Sequence, residues 1–174
     1  MVTLVALVRH GETPWNAERR FQGWTDVELN DAGRDQARRL GDALSGRSFD
    51  AVWSSDLIRA TETARIAGYE AVADLRLREL DFGSLEGAVW DQLGPETQAA
   101  LVVFDDFAAP GGESIEQLRQ RVTGFLDALG PGRHLLFTHG GVIRLVAREC
   151  GFDGFPGHAE VVEVDWTNRT NTVL

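Results

Sequence analysis

The run Thr3-Leu4-Val5-Ala6-Leu7-Val8 is β-branched and leucine-rich and stops abruptly at Arg9-His10-Gly11-Glu12. That is the pattern of a buried strand opening into a polar loop. Asn30 offers an N-cap, and Ala37, Leu40 and Leu44 follow at helical spacing until Gly46 supplies a stop. A second short strand, Ala51 to Trp53, runs into Ser54-Ser55-Asp56, side chains suited to capping a helix from Leu57 to about Ala67. Alanines at 60, 64 and 67 predict close packing there. A short strand is expected at Glu70 to Ala73. Residues 75–112 carry no clear period; Gly83, Gly87, Gly94, Pro95, Pro110, Gly111 and Gly112 predict loops with one helix around 90–105. Ser114 and Gln117 form a capping box ahead of Ile115, Leu118, Val122, Phe125, Leu126 and Leu129, a marked amphipathic helix. A strand from His134 to Thr138, Gly140-Gly141, a helix to about Cys150 and a strand from Val161 to Trp166 complete the order. Strands alternating with helices predict an α/β fold, a three-layer α/β/α sandwich with a mostly parallel central sheet.

Composition narrows the choice of partners. The 174 residues, 43% apolar and 25% charged, suit one soluble domain covering 1–174. The net charge is −10, from 27 acidic side chains against 17 basic ones, all arginine. Such a field repels nucleic acid and anionic membrane, so neither is an expected partner. A small anion responds instead to charges within a few ångströms, and arginine forks bind phosphate through paired hydrogen bonds. Cys150 is the only cysteine, which excludes an intramolecular disulfide and a cysteine zinc cluster. The Val2–Val8 run has neither the flanks of a signal peptide nor the length of a membrane span, so a cytoplasmic location is expected.

Ligands of such sheets bind outside the carboxyl ends of the strands. The first strand delivers Arg9 and His10 there, Arg59 follows the second, and the strand at 134–138 delivers His139. Two guanidinium forks, imidazole and the free N–H groups of a helix beginning at Gly140-Gly141 can hold a tetrahedral dianion.

Arg9-His10-Gly11-Glu12-Thr13-Pro14-Trp15-Asn16 resembles the signature of the histidine phosphatase superfamily, the phosphoglycerate-mutase-like enzymes. Further matches follow in order: Gln22-Gly23-Trp24 with Asp26 and Leu29; Ser54-Ser55-Asp56 with Arg59; Arg78-Glu79 with Gly83 and Glu86-Gly87; Gly112-Glu113-Ser114; and Thr138-His139-Gly140-Gly141. The short chain is most similar to the compact bacterial phosphatases of the family, including the α-ribazole phosphatase type.

The resemblance implies a phosphomonoesterase. His10 matches the nucleophile that forms a phosphohistidine, and Arg9 should disfavour its imidazolium form. Arg9, Arg59 and His139 match the clamp on the equatorial oxygens. Asn16, Gln22, Gly23 and the Gly140 backbone are the remaining expected phosphate contacts. Glu79 matches the proton donor to the leaving oxygen, its pKa expected to rise beside a bound dianion; Asp81 and Glu86 are nearby alternatives, with Glu86 expected to support the loop. Neither a metal nor another cofactor is implied, since the arginines neutralise the phosphate.

Other residues read as structural. Glu12 should bond backbone or a neighbouring arginine, His134 and His158 match no block, Cys150 reads as a small buried hydrophobe, and Trp53 and Trp166 as core. Trp15, Phe21, Trp24 and Trp90 flank the motif loops as candidate pocket walls. A cofactor-dependent phosphoglycerate mutase is the alternative reading, but mutases carry a lysine and paired arginines for the substrate carboxylate and second phosphate. Between Glu79 and His139 this chain has neither, and Asp81-Phe82 departs from the mutase tyrosine. An inactive phospholigand-binding module would predict loss of His10, Glu79 or His139, and all three are present. The expected partner is a small phosphomonoester, its leaving group read by residues 80–112 and the loop after Asn16. A sheet edge at 161–166 would allow a homodimer.

Overall fold

The computed structural model describes residues 1–172. Along β1 (Thr3–Arg9) alternate side chains enter two different cores, which is why the run lacks polar alternation. Val5 and Leu7 join Leu136, Val164 and the helices α5 (Ile115–Asp127) and α6 (Gly140–Glu149) on one face. Ala6 and Val8 join Leu135, Phe137, Leu40, Leu44 and Ala64 on the other. The second face is covered by α2 (Asp31–Ala43) and α3 (Ile58–Ile66), giving three layers.

The remaining strands are β2 (Ala51–Ser54), β3 (Val72–Ala73), β4 (Gly132–Thr138), β5 (Val161–Asp165) and β6 (Thr170–Asn171). They form one six-stranded sheet in the order β3-β2-β4-β1-β5-β6. The first four of that order are parallel, β5 runs antiparallel to β1, and β6 runs antiparallel to β5, giving a mostly parallel sheet. β1 pairs with β4 from Thr3↔Gly132 to Arg9↔Thr138, so Arg9-His10 and Thr138-His139 leave the sheet side by side.

The caps read from the sequence are present at two helices. Asn30 Oδ1 accepts from the Gly33 N–H at 2.8 Å, and Ser114 and Gln117 bond reciprocally at the start of α5. At α3 the expectation is met only in part: Ser55 Oγ accepts from the Leu57 N–H at 3.3 Å. The N-cap position of α3 is Leu57, which has no side chain able to cap, and the Ile58 N–H donates instead to Asp26 Oδ1 at 2.7 Å. Asp56 is taken by Arg78, a two-pronged pair at 2.7 and 2.6 Å. The helix expected around 90–105 is α4 (Pro95–Val103), shorter because Gly94-Pro95 sets its start and a 3₁₀ turn takes Trp90–Gln92. Two elements have no counterpart in the sequence reading: the single turn α1 (Pro14–Ala17) and β6. β6 corrects the reading of 161–166 as a sheet edge, since it pairs with the second half of β5 through Val164↔Asn171 and Asp165↔Thr170.

Candidate active site

The carboxyl ends of β1 and β4 bring His10 and His139 to a ring-centroid separation of 5.2 Å, edge to face. His10 is 4% exposed, and its Nδ1 lies 2.7 Å from the Gly11 carbonyl oxygen. A carbonyl can only accept, so the proton of the neutral ring sits on Nδ1 and Nε2 keeps its lone pair. The pKa of His10 is held well below its ordinary 6.5, first by burial, then by the positive charge of Arg59, with Arg9 a smaller contributor. Arg9 acts in the expected direction, with burial and Arg59 the larger causes. His139 is likewise held neutral by burial and by Arg59.

Arg59 rises from α3 with 0% exposure, its Nη2 donating to the Gly23 carbonyl at 2.6 Å and its Nη1 to that of Thr25 at 3.1 Å. Burial lowers its pKa to about 10, so it stays a cation at neutral pH. Arg9 donates Nη1 to the Pro156 carbonyl at 2.8 Å, and its guanidinium lies 4.8 Å from the Phe155 ring centroid. Neither arginine takes part in a salt bridge among the described residues. Glu79 lies near enough to act on both, but none of the described carboxylates is bonded to either, and desolvated cations so placed are stabilised when an anion completes them.

Unpartnered polar atoms mark the same place. Of eight buried side-chain nitrogens that lack a partner among the described residues, six belong to Arg9, Gln22, Arg59, His139 and His158. Buried donors are normally bonded, so their concentration here identifies a site built for a polar ligand. The amide oxygens of Asn16 and Gln22 both face Thr13: Thr13 N donates to Asn16 at 3.1 Å and Thr13 Oγ1 to Gln22 at 2.7 Å. Their NH₂ groups are thereby left for an acceptor.

Glu79 stands at the opposite wall, 8% exposed. Its Oε1 accepts from the Leu80 N–H at 2.9 Å and its Oε2 from the Gly141 N–H at 3.0 Å. Burial raises its pKa even though these bonds and Arg59 and Arg9 oppose the rise. A bound dianion is therefore not needed to start the shift. The two nearby alternatives are engaged elsewhere. Asp81 Oδ1 accepts from the Gly83 N–H, and Glu86 accepts from the backbone of Trp24 and Thr25, as loop support.

Arg9, His10, Asn16, Gln22, Glu79 and Gly140 all line one cleft of about 380 Å³. Arg59, His139 and Gly23 are buried behind that surface. Gly23 differs from the sequence expectation: its carbonyl holds Arg59, and a Cβ there would meet Leu80 O at 2.5 Å. Among the described residues the Glu12 carboxylate bonds neither backbone nor arginine; it accepts from Asn30 Nδ2 at 2.7 Å. Among the four aromatic candidates, Phe21 and Trp90 line the cleft. Trp24 lies against Arg78 and donates to the Glu79 carbonyl, while Trp15 abuts Gly87.

His158 was not legible as part of this site, matching no block, yet its ring lies 5.9 Å from that of His10. Burial and Arg9 lower its pKa to about 4. Arg20, Phe82, Phe104, Arg144 and Phe155 also line the cleft without having been singled out as site residues. Only their arrival from distant loops and helix ends places them there. Among the described residues no group of three or more His, Cys, Asp or Glu is arranged to hold a metal ion.

A mostly parallel sheet that presents two neutral histidines, buried Arg59, half-buried Arg9 and a protonatable glutamate at one edge defines a phosphoryl-transfer type of site. The chain belongs to the histidine phosphatase superfamily (branch 1), whose family profile matches residues 5–172. It is similar to Phosphoglycerate mutase-like protein 4 of Arabidopsis thaliana, 43% identical over 155 residues, covering 80% of this chain and 67% of that protein. It is 38% identical over 168 residues to Probable phosphoglycerate mutase GpmB of Cronobacter sakazakii, covering 90% and 77%. Among solved structures, TTHB049 from Thermus thermophilus superposes with a TM-score of 0.91 at 45% identity, covering 98% and 97%. A candidate alpha-ribazole-5'-P phosphatase from Escherichia coli superposes with a TM-score of 0.84 at 27% identity, covering 99% and 94%.

Proposed function

We propose that the protein is a phosphomonoesterase that works through a phosphohistidine on His10 and requires no metal. One observation carries this reading: the neutral His10, its Nε2 lone pair free, lies within the field of buried Arg59 and half-buried Arg9, neither of which is held in a salt bridge among the described residues. In the first half-reaction His10 Nε2 attacks phosphorus, the P–O ester bond breaks, and protonated Glu79 gives its proton to the leaving oxygen, releasing an alcohol. In the second, Glu79 carboxylate takes a proton from water, whose oxygen attacks phosphorus. The P–N bond then breaks, returning His10 and inorganic phosphate. Arg9, Arg59 and His139 hold the equatorial oxygens, supported by Asn16, Gln22 and the Gly140 backbone. Stabilising charge as it develops is the main contribution a protein makes to this chemistry.

A mutase is the second reading, favoured by the names of several relatives. It needs a cation for the carboxylate of a phosphoglycerate. Besides Arg9, the basic side chains on the cleft wall are Arg20 and Arg144. Arg144 meets Asp153 at 3.0 Å and the carbonyls of Leu101 and Val102 at 3.4 and 2.8 Å. Arg20, more exposed, meets Glu18 at 2.5 Å and the Gly87 carbonyl at 2.8 Å. With both engaged, hydrolysis is favoured.

The test is turnover of 4-nitrophenyl phosphate in excess chelator by the native protein and by His10→Ala. The native protein should release phosphate and the variant should not. Chelator-sensitive activity that survives His10→Ala would overturn the proposal. Interconversion of 2- and 3-phosphoglycerate faster than their hydrolysis would favour the mutase.

A further inference from the structure

Beyond the phosphate-holding groups the cleft turns apolar. Phe21 forms its spine, with ring centroids 5.1 Å from Phe82 and 5.8 Å from Trp90. Leu101 and Phe104 close the wall from the C-terminal end of α4. Phe155, and Val102 on the same helix end, also line the cleft, yet remain 59% and 58% exposed. Phe155 is fixed in place: its ring lies over the Arg9 guanidinium and so close to Gly140 that a Cβ there would fall 2.5 Å from it. The same ring also walls an adjoining hollow of about 310 Å³ bounded by Arg20, Phe21, Trp90 and His158. Hollows that adjoin the phosphate-holding groups therefore share one aromatic side chain, Phe155.

Exposed apolar surface at the rim of a polar site marks where a ligand's apolar part rests, because that contact removes both surfaces from water. A polar leaving group such as a glycerate would find few open partners, since Arg144 and Arg20 are held by Asp153, Glu18 and backbone carbonyls. Resting on the phosphomonoesterase reading above, we propose that the substrate is the phosphate ester of a bulky apolar or aromatic alcohol with no second anionic group near the ester. Its leaving group lies between the Phe21–Trp90 wall and Phe155.

The experiment compares kcat/KM for ethyl, hexyl and 3-phenylpropyl phosphate with that for 3-phosphoglycerate, using 4-nitrophenyl phosphate as a control for competence. The first three are simple primary alkyl esters of similar reactivity, so differences among them report binding of the leaving group. The expected rise from ethyl to 3-phenylpropyl is about tenfold or more, the scale on which a hydrophobic pocket discriminates. 3-Phosphoglycerate should fall at or below ethyl phosphate. Phe155→Ala and Trp90→Ala should each reduce the 3-phenylpropyl to ethyl ratio several-fold, a quotient insensitive to the fraction of folded enzyme. A flat series, or a preference for 3-phosphoglycerate, overturns the substrate class and leaves the hydrolase reading standing. Failure to hydrolyse any ester, 4-nitrophenyl phosphate included, overturns the hydrolase reading itself.

Discussion

Arg121 Nη2 donates to the backbone carbonyl of Glu79 at 2.7 Å, so the peptide carrying the expected proton donor is held by a side chain from another layer. The same guanidinium reaches the carbonyls of Arg76 and Arg78 at 2.9 and 2.7 Å and forks onto Glu113 at 2.7 and 2.8 Å. Glu113 in turn accepts from the Asp81 N–H at 3.1 Å. The Gly112-Glu113-Ser114 block thus does its work at a distance, fixing residues 76–81 against α5. Arg121→Met should lower kcat more than it changes KM and shift the alkaline limb of the pH–rate profile. Thermal or urea unfolding should show a loss of about 2–3 kcal/mol. That is less than the 3–5 of a fully buried pair because both partners retain 14% side-chain exposure.

Glu79→Gln separates the two half-reactions. The amide cannot act as a base toward water, while 4-nitrophenolate leaves without a proton. Rapid mixing with 4-nitrophenyl phosphate should show a burst near one nitrophenol per enzyme and then turnover slowed about 10²–10⁴-fold. A normal steady state without a burst would remove Glu79 from the mechanism.

The buried titratable groups set the response to pH. His10 and His139 have folded pKa values below 6.5, so as pH falls through 6.5 the unfolded chain takes up protons first. The histidine contribution to stability should be flat above 6.5 and decline progressively below it, His158 adding to the slope down to about 4. Glu79 has the opposite sign. Its raised pKa means that ionisation costs stability above the ordinary 4.5; Glu79→Gln gives up one of the two backbone bonds at every pH, but its Tm relative to the native protein should improve as pH rises from 4.5 to 7. Thermal melts of both proteins from pH 8 to pH 4 check both signs. Activity should persist below 6.5, because the nucleophile remains neutral there, and fall on the alkaline side as Glu79 loses its proton.

Gly33, in the first turn of α2, is pressed against the loop behind His10. A Cβ there would lie 2.1 Å from the Glu12 carbonyl oxygen and 2.7 Å from its nitrogen, with no flexible side chain to yield. Gly33→Ala should cost about 1–3 kcal/mol of stability and reduce kcat by displacing Gly11, whose own Cβ would meet Gly33 O at 2.5 Å. Denaturant titration together with steady-state kinetics measures both effects.

Much of this was written locally in the chain. The strand β1 announced itself because both its faces are buried, and Asn30 and Ser114 announced helices because a cap acts within three residues. Ser54-Ser55-Asp56 misled in part for the same reason: Ser55 takes the Leu57 N–H, but Asp26, 32 residues before Ile58, supplies the bond to the first turn and Asp56 turns to Arg78. The stretch 75–112 resisted because three 3₁₀ turns and isolated bridges bury residues without a repeating period. His158 belongs to a loop whose place beside His10 is set by tertiary bonds, Ala159 N donating to the Arg9 carbonyl at 2.9 Å and Arg9 to Pro156.

The measurement that bears most directly on the mechanism is the site of covalent phosphate. Glu79→Gln mixed with substrate, quenched in alkali to preserve phosphoramidate and digested for mass spectrometry, should carry close to one phosphoryl group per chain, on His10. None should form in the His10→Ala variant. Phosphate found on another residue, or hydrolysis proceeding without any phosphorylated His10, would contradict the account.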